Sequence, residues 1–387
     1  MTYPPNYTLP ADWVEAIRDG GLDALPELMR VLLNAAMQAE RQHYLGVEPY
    51  QRSEQRRDQA NGYKPKTVKT RLGEITFDVP QVRQGDFYPQ ALTKGLRSER
   101  ALTLTLAEMY VQGVSTRKVA RVLETLCGTE VSSTQVSRAS AQLDETLAAW
   151  RNRALSACPY LILDARYETV RQEGQSRDAA VLIALGIGED GKRRILGVSV
   201  SVSEHEVHWR TFLQSLVQRG LSGVRLIVSD AHEGLGAARR AVFGGVAWQR
   251  CQFHLQQNAQ AYVPRQELKV EVAADLRAIF NAPNRAEADT LLSKTVQKYV
   301  KSVPKLAQWL QEAVPEGLTV FALPSAHQRL LRTTNMLERV NQEIRRRTRV
   351  VGIFPNEAAC LRLVSAVLME ISDDWEAGRV YLTFSSA

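Results

Sequence analysis

Between Tyr160 and Arg250 the chain sets three apolar, β-rich runs in close succession: YLILD (160–164), DAAVLIALGI (178–187) and RRILGVSVSV (193–202). It then alternates. A helical stretch over 206–219 is followed by VRLIVSD (224–230), a helix over 234–242 and a short strand, GVAWQR (245–250). Three consecutive strands read as a meander, and strand–helix–strand units read as crossover connections, which limits the chain to an α/β fold with a mixed sheet. From about Leu255 to Ala322 the pattern turns almost purely helical, as an insertion would. Helices over 335–349 and 356–371 close the chain.

Asp164 and Asp230 each follow one of these apolar runs. A lone aspartate at a strand end is ordinarily a cap or turn former. A pair on neighbouring strands can instead bind a hard divalent cation, since Mg²⁺ favours one or two protein carboxylates. Phosphodiester chemistry with two such ions calls for a third carboxylate, and Glu338 is the candidate. It lies in RTTNMLERVNQEIRRRTRVVGIFPN, where Leu337, Val340 and Ile344 form an inward helical stripe. Glu338, Asn341, Arg345 and Arg349 share another face. Asn335 and Glu338 also have the N-x-x-E spacing of a capping box, the commoner role for such a glutamate. Three gathered carboxylates are expected to raise one another's pKa and to titrate together.

The net charge is +7, from 49 basic and 42 acidic residues, and its placement matters more than its size. KPKTVKTR (64–71) carries four basic residues and no acid. Arg329–Arg349 holds seven arginines (329, 332, 339, 345, 346, 347, 349) against Glu338 and Glu343. Such clusters suit a polyanion, the bland alternative being a solvated face. No apolar run approaches the roughly 18 residues of a membrane span and no basic-then-apolar leader opens the chain, so a cytoplasmic protein is expected. Cys127, Cys158, Cys251 and Cys360 lie far apart without a CxxC, which fits a reducing compartment.

Upstream, residues 11–45 read as an amphipathic helical segment (Leu25, Leu28, Leu32, Ala36), either a core cap or a dimer contact. Residues 66–92 alternate around Gly73 like a hairpin, a basic β-element able to follow a phosphate backbone. Ser115 is a candidate N-cap for a helix over 116–126, and Ser132 or Ser133 for one over 134–150. Joined through Cys127-Gly128-Thr129, these two form a helix-turn-helix or an ordinary helical hairpin. In the former, Gln135 and Arg138 would reach base edges. Cys251 and His254, in WQRCQFH, supply two of the four ligands a structural zinc needs, so they are expected to pack beneath the carboxylates. His205 and His208 read as a solvated helix start, and Glu233 as a charge placed at a helix N-terminus.

Together these motifs resemble the Mutator-type transposases of bacterial insertion sequences, Asp-Asp-Glu enzymes on a ribonuclease H-like fold. The resemblance runs from NGYKPKTVKT to RTRVVGIFPNE, through LDARYETVR, RGLSGVRLIVSDAHEGL, WQRCQFH and TTNMLERVNQEIRRRTRVVGIFPN, with GVSTRKV upstream. It implies that Asp164, Asp230 and Glu338 are the catalytic and metal-holding residues, with two Mg²⁺ ions that Mn²⁺ can replace. Water would release a 3′ end, whose hydroxyl then attacks another phosphodiester. The implied partners are double-stranded DNA (terminal inverted repeats and target) and a second copy in a homodimer, with neither a membrane nor a small-molecule substrate. In the cell the protein would be cytoplasmic and held at the nucleoid by DNA. DNA contacts are expected from Lys64, Lys66, Lys69, Arg71, Arg117, Gln135, Arg138, Arg345, Arg346 and Arg349, with Cys251 and His254 behind the triad.

The expected organisation is a helical segment (1–57), a basic β-element (58–92) and a helix-turn-helix-like domain (93–152). A ribonuclease H-like catalytic domain of order β-β-β-α-β-α-β-α (153–254 and 326–373) then carries an all-helical insertion (255–325). Arg166 departs from the family pattern, which has an apolar residue there. Two rivals share parts of this reading: a DNA-binding regulator with the same domain as a scaffold, and a nuclease without strand transfer.

Overall fold

The structure, a computed structural model, describes residues 11–47, 56–92, 100–112, 114, 116–127, 131–141 and 143–384. It divides into two compact units, Met1–Gln142 and Leu143–Ala387.

In the first unit, α1 (Ala11–Gly20) and α2 (Leu25–Leu45) precede an antiparallel hairpin of β1 (Ala60–Thr70) and β2 (Gly73–Val82). Ile75, Phe77 and Val79 alternate along β2 and share one face, which closes over Met37 of α2. Asn34 of α2 also accepts from the Asp78 N–H at 3.0 Å. The leading segment thus caps the hairpin core. Three further helices, α3 (Arg100–Val111), α4 (Thr116–Cys127) and α5 (Ser133–Ala141), share a second core around Leu106, Val119, Leu123 and Val136. Ser115, Gly128 and Thr129 lie outside the described residues, as do the side chains of Arg117, Cys127 and Ser133.

The second unit is built on β3 (Tyr160–Gln172), β4 (Gln175–Ile187), β5 (Arg193–Ser201), β6 (Leu226–Ser229) and β7 (Ala247–Arg250), in the order β5-β4-β3-β6-β7. The first three form an antiparallel meander, while β6 and β7 run parallel to β3. Helices α7 (Glu206–Gln218) and α8 (Glu233–Val242) make the crossovers, and Trp209, Phe212 and Leu213 of α7 pack on Leu161, Leu163 and Leu182 of the sheet. The interval read as an insertion forms α9 (Gln252–Ala259), α10 (Gln266–Phe280), α11 (Arg285–Val300) and α12 (Pro304–Ala313), with a core of its own around Leu276, Ile279, Tyr299 and Leu306. The chain ends in α13 (Ser325–Leu331), α14 (Asn335–Val351) and α15 (Glu357–Ala377). No described helix is long and apolar enough to cross a membrane.

Two expectations are corrected. The helix read over 134–150 is broken after Ala141, and its second half becomes α6 (Asp144–Arg151). Asp144 accepts from both Arg362 Nε and Nη2, at 2.7 and 2.8 Å, so α6 packs on α15 and belongs to the second unit. The strand read over 160–164 continues to Gln172, so Asp164 lies within β3 rather than at its end. Residues 165–172 carry too many polar side chains to announce a strand, but an antiparallel hairpin tolerates one wet face. It closes through Glu173-Gly174, with φ of 51° and 80°. Positive φ at both central residues is what a tight two-residue hairpin turn needs.

Candidate active site

The parallel pairing of β3 with β6 runs Tyr160↔Leu226, Leu161↔Ile227, Ile162↔Val228, and the same offset carries Asp164 level with Asp230. On the far side of β6, Ser229 pairs with Arg250, and the Cys251 N–H donates to the Ser229 carbonyl at 2.8 Å. Asp230 and Cys251 therefore leave the carboxyl ends of adjacent parallel strands, where open α/β sheets form their crevices. The Asp164 carboxylate accepts from the Ala165 N–H at 3.0 Å and from Asn341 Nδ2 at 2.9 Å. Asp230 accepts from the Ala231 N–H at 2.7 Å.

Helix α14 is stitched to the sheet along its length. At its start, Thr334 N and Oγ1 donate to Cys251 Sγ at 3.3 and 3.4 Å. In its middle, Asn341 donates to Asp164, while Arg166 Nη1 donates to the Asn341 carbonyl. Further on, Thr348 Oγ1 donates to Glu168 Oε1 at 3.0 Å, the same oxygen that Arg166 Nη2 meets at 2.5 Å. Arg166, atypical for the resemblance, thus joins β3 to the helix that carries Glu338. Glu338 itself sits between the first two stitches, its Oε1 3.9 Å from His254 Nε2.

The capping-box alternative for Glu338 does not survive. Thr334 is the N-cap of α14 and makes no side-chain cap bond, and the Glu338 N–H already makes the first i→i−4 bond to Thr334 O. Glu338 is therefore one position beyond the box, whose third helical residue is Leu337.

Burial, reinforced by the Asp230 and Glu338 charges, pushes the Asp164 carboxyl up to about 6, against the opposing pull of His254. The side chain keeps some solvent access although dense protein surrounds its carboxyl. The His254 imidazole is raised to about 9, first by the Cys251 sulfur and then, after burial opposes it, by the Asp230 and Asp164 carboxylates. His254 Nδ1 itself is buried without an aligned hydrogen-bond partner. Cys251 is fully buried, and no group of three or more His, Cys, Asp and Glu side chains poised to hold a metal occurs among the described residues.

The residues expected to contact DNA have different local surroundings. Strand alternation puts Lys64 and Lys66 on one face of β1 and Lys69 on the other. Lys66 Nζ donates to Tyr88 Oη at 2.7 Å, and Lys69 pairs with Glu74 at 3.2 Å. Lys64 is exposed, and Arg71 is exposed in the turn. Gln135 is engaged in a capping box: its Oε1 accepts from the Ser132 N–H at 2.8 Å while Ser132 Oγ accepts from the Gln135 N–H at 3.2 Å. That reciprocal pair stabilises the start of α5 and engages the side-chain oxygen of a residue expected to reach base edges. Arg138 is exposed on α5.

On α14, Arg345, Arg346 and Arg349 are exposed, whereas Arg347 is buried between Glu343 (3.0 Å) and Glu370 (2.9 Å). Glu343 is held down at about 2, chiefly by its bonds from Arg346 and then by Arg347. Because its folded pKa lies below the unfolded value, its contribution is present above about pH 4.3 and is lost as the pH falls towards 2. Glu343→Gln is therefore expected to flatten the acid arm of the stability profile and to cost about 1 kcal/mol at pH 7. The cost is small because the side chain keeps substantial contact with water. Thermal melts from pH 2 to 7 measure both.

The sequence pattern of the family described as "Transposase, Mutator family" matches residues 12–378. The chain is 60% identical over 372 residues to the transposase for insertion sequence element IS406 of Burkholderia multivorans, covering 96% of each chain. It is 43% identical to the transposase for ISRM5 of Rhizobium meliloti, over 93% of this chain and 90% of that one. To the transposase for IS256 in transposon Tn4001 of Staphylococcus aureus it is 36% identical, over 98% of each. With matches of this extent, the chain belongs to the Mutator family of transposases.

Proposed function

We propose that the protein binds the terminal inverted repeats of its own insertion sequence, releases 3′ ends by metal-dependent hydrolysis, and joins them to target DNA as a homodimer. The observation that carries this is the level placement of Asp164 on β3 and Asp230 just past the end of β6, with α14 pinned to Asp164 through Asn341 and bringing Glu338. The order β5-β4-β3-β6-β7, antiparallel then parallel, supports a ribonuclease H-like reading of the second unit. Helices α4 and α5, with exposed Arg138, support a helix-turn-helix reading in the first.

The donor set suits a hard cation: carboxylate oxygens, and beside Asp164 a buried amide oxygen on Asn341 without a partner. Mg²⁺ keeps several waters and takes one or two carboxylates plus substrate phosphates, so it needs no closed protein cage. Asp164, Asp230 and Glu338 would hold it. When bound, it supplies Lewis-acid stabilisation and a more acidic water. The chain's own residues do the rest. Asn341 and the Ala165 N–H orient Asp164, and protonated His254 steadies Glu338. Exposed Arg345 and Arg349 offer charge to phosphates, and Lys64 and Arg138 provide cationic contacts in the first unit.

Purified protein, a duplex carrying the element's end and Mg²⁺ test the reading. Nicked 3′ ends followed by joined products are expected, and chelation of the metal should leave binding alone. Binding without cleavage in Mg²⁺ would make the protein a regulator, and nicks that never join would make it a nuclease.

A further inference from the structure

From α14, the Asn341 side chain touches a candidate metal-holding carboxylate, and it was not among the residues expected to act. Its Nδ2 donates to Asp164 Oδ2 at 2.9 Å, while its Oδ1 is buried and has no hydrogen-bond partner. Turning the amide over would set Oδ1 against the carboxylate oxygen, acceptor on acceptor, so the hydrogen-bond network itself assigns the orientation. Both atoms share one amide plane, so the orphaned oxygen lies beside the same carboxylate. An acceptor left unpaired in protein is costly unless something arrives to donate to it. The residue is also fixed from behind, because Arg166 donates to its main-chain carbonyl and is itself held by Glu168 at 2.5 Å. Such support on rigid elements is how a site is kept in register.

We propose that Asn341 is a positioning residue of the cation site: its amide N–H sets the Asp164 carboxylate, and its free oxygen accepts from a water carried by the bound Mg²⁺. This rests on the metal-dependent reading above. It predicts that Asn341 acts on cation affinity, which a strut between helix and strand would not do. Partners in this outer position typically contribute 10- to 100-fold to metal affinity.

The test is Mn²⁺ binding by the full-length protein without DNA, read as free Mn²⁺ by electron paramagnetic resonance, beside metal-free melting. Asn341→Ala is expected to weaken Mn²⁺ binding about tenfold or more while melting within a few degrees of the wild type. Asn341→Asp is nearly isosteric but sets a second charge against Asp164. It should melt lower without metal and gain more from Mg²⁺ than the wild type does. If Asn341→Ala fails to fold, Asn341→Ser carries the same comparison. Mn²⁺ affinity within twofold of wild type in the Ala or Ser variant, with Asp164→Asn unable to bind, would overturn the role of Asn341 and leave the site reading intact. Undiminished Mn²⁺ binding by Asp164→Asn would remove the site reading, and this proposal with it.

Discussion

Asp164→Asn is expected to leave a folded, DNA-binding protein whose strand cleavage falls by on the order of a thousandfold, several kcal/mol of transition-state stabilisation. The substitution keeps shape and one carbonyl oxygen, which can still accept from Ala165 N–H or Asn341 Nδ2, but it removes the anionic charge a cation would need. Stability should move the other way. Asp164 has its pKa raised to about 6, above the unfolded value, so ionising it opposes folding, and the metal-free protein loses stability as the pH rises through about 4 to 6. The asparagine variant lacks that slope and should melt at or above the wild-type temperature at pH 7. Gel assays on an end-containing duplex in Mg²⁺, with matched DNA occupancy, measure the first effect, and metal-free melts measure the second. Cleavage above a tenth of wild type would sink the assignment of Asp164.

Glu338→Gln is the second large effect. Side-chain size and helix propensity barely change, and no capping box is lost, because Glu338 is not in one. Two electrostatic changes oppose each other in the fold. Asp164 is relieved of a neighbouring charge, while protonated His254 loses a carboxylate 3.9 Å away. Melting is therefore expected within a few degrees of wild type, and cleavage is expected to fall at least a hundredfold. The control cannot be Glu343, whose bonds to Arg346 and buried Arg347 make its loss a stability effect. Glu233→Gln serves instead: it removes the same charge three residues from Asp230, at an exposed position in the first turn of α8. There a carboxylate contributes only a few tenths of a kcal/mol through the helix dipole. Equal cleavage by the two variants would leave the third carboxylate unidentified.

Much of the second unit was legible in advance. Buried strands such as β4, apolar from Ala179 to Ile187, are long enough to declare themselves. The inward stripe of α14, Leu337, Val340 and Ile344, is buried as its spacing predicts. Asp164 and Asp230 could be singled out because each interrupts or ends an apolar run. Local periodicity is a property of the chain, and burying an apolar face imposes it on whatever element forms.

Partners are another matter. Lys66, Gln135 and Arg166 all looked like charged or polar groups open to a ligand or out of place, yet their bonds go to Tyr88, Ser132 and the α14 backbone. Asn341 shares a helical face with Glu338, which spacing alone shows, but nothing in that spacing tells it to meet a residue 177 positions away. The break after Ala141 likewise follows from α6 finding Arg362 on α15. The sequence by itself determined most of the elements, their order, the apolar faces and the carboxylates worth watching, because those depend on neighbours three or four residues apart. Only the tertiary structure decided which polar groups were free. A hydrogen bond is satisfied over about 3 Å, and which groups come that close is set by the register of distant strands and the seating of α14 across them.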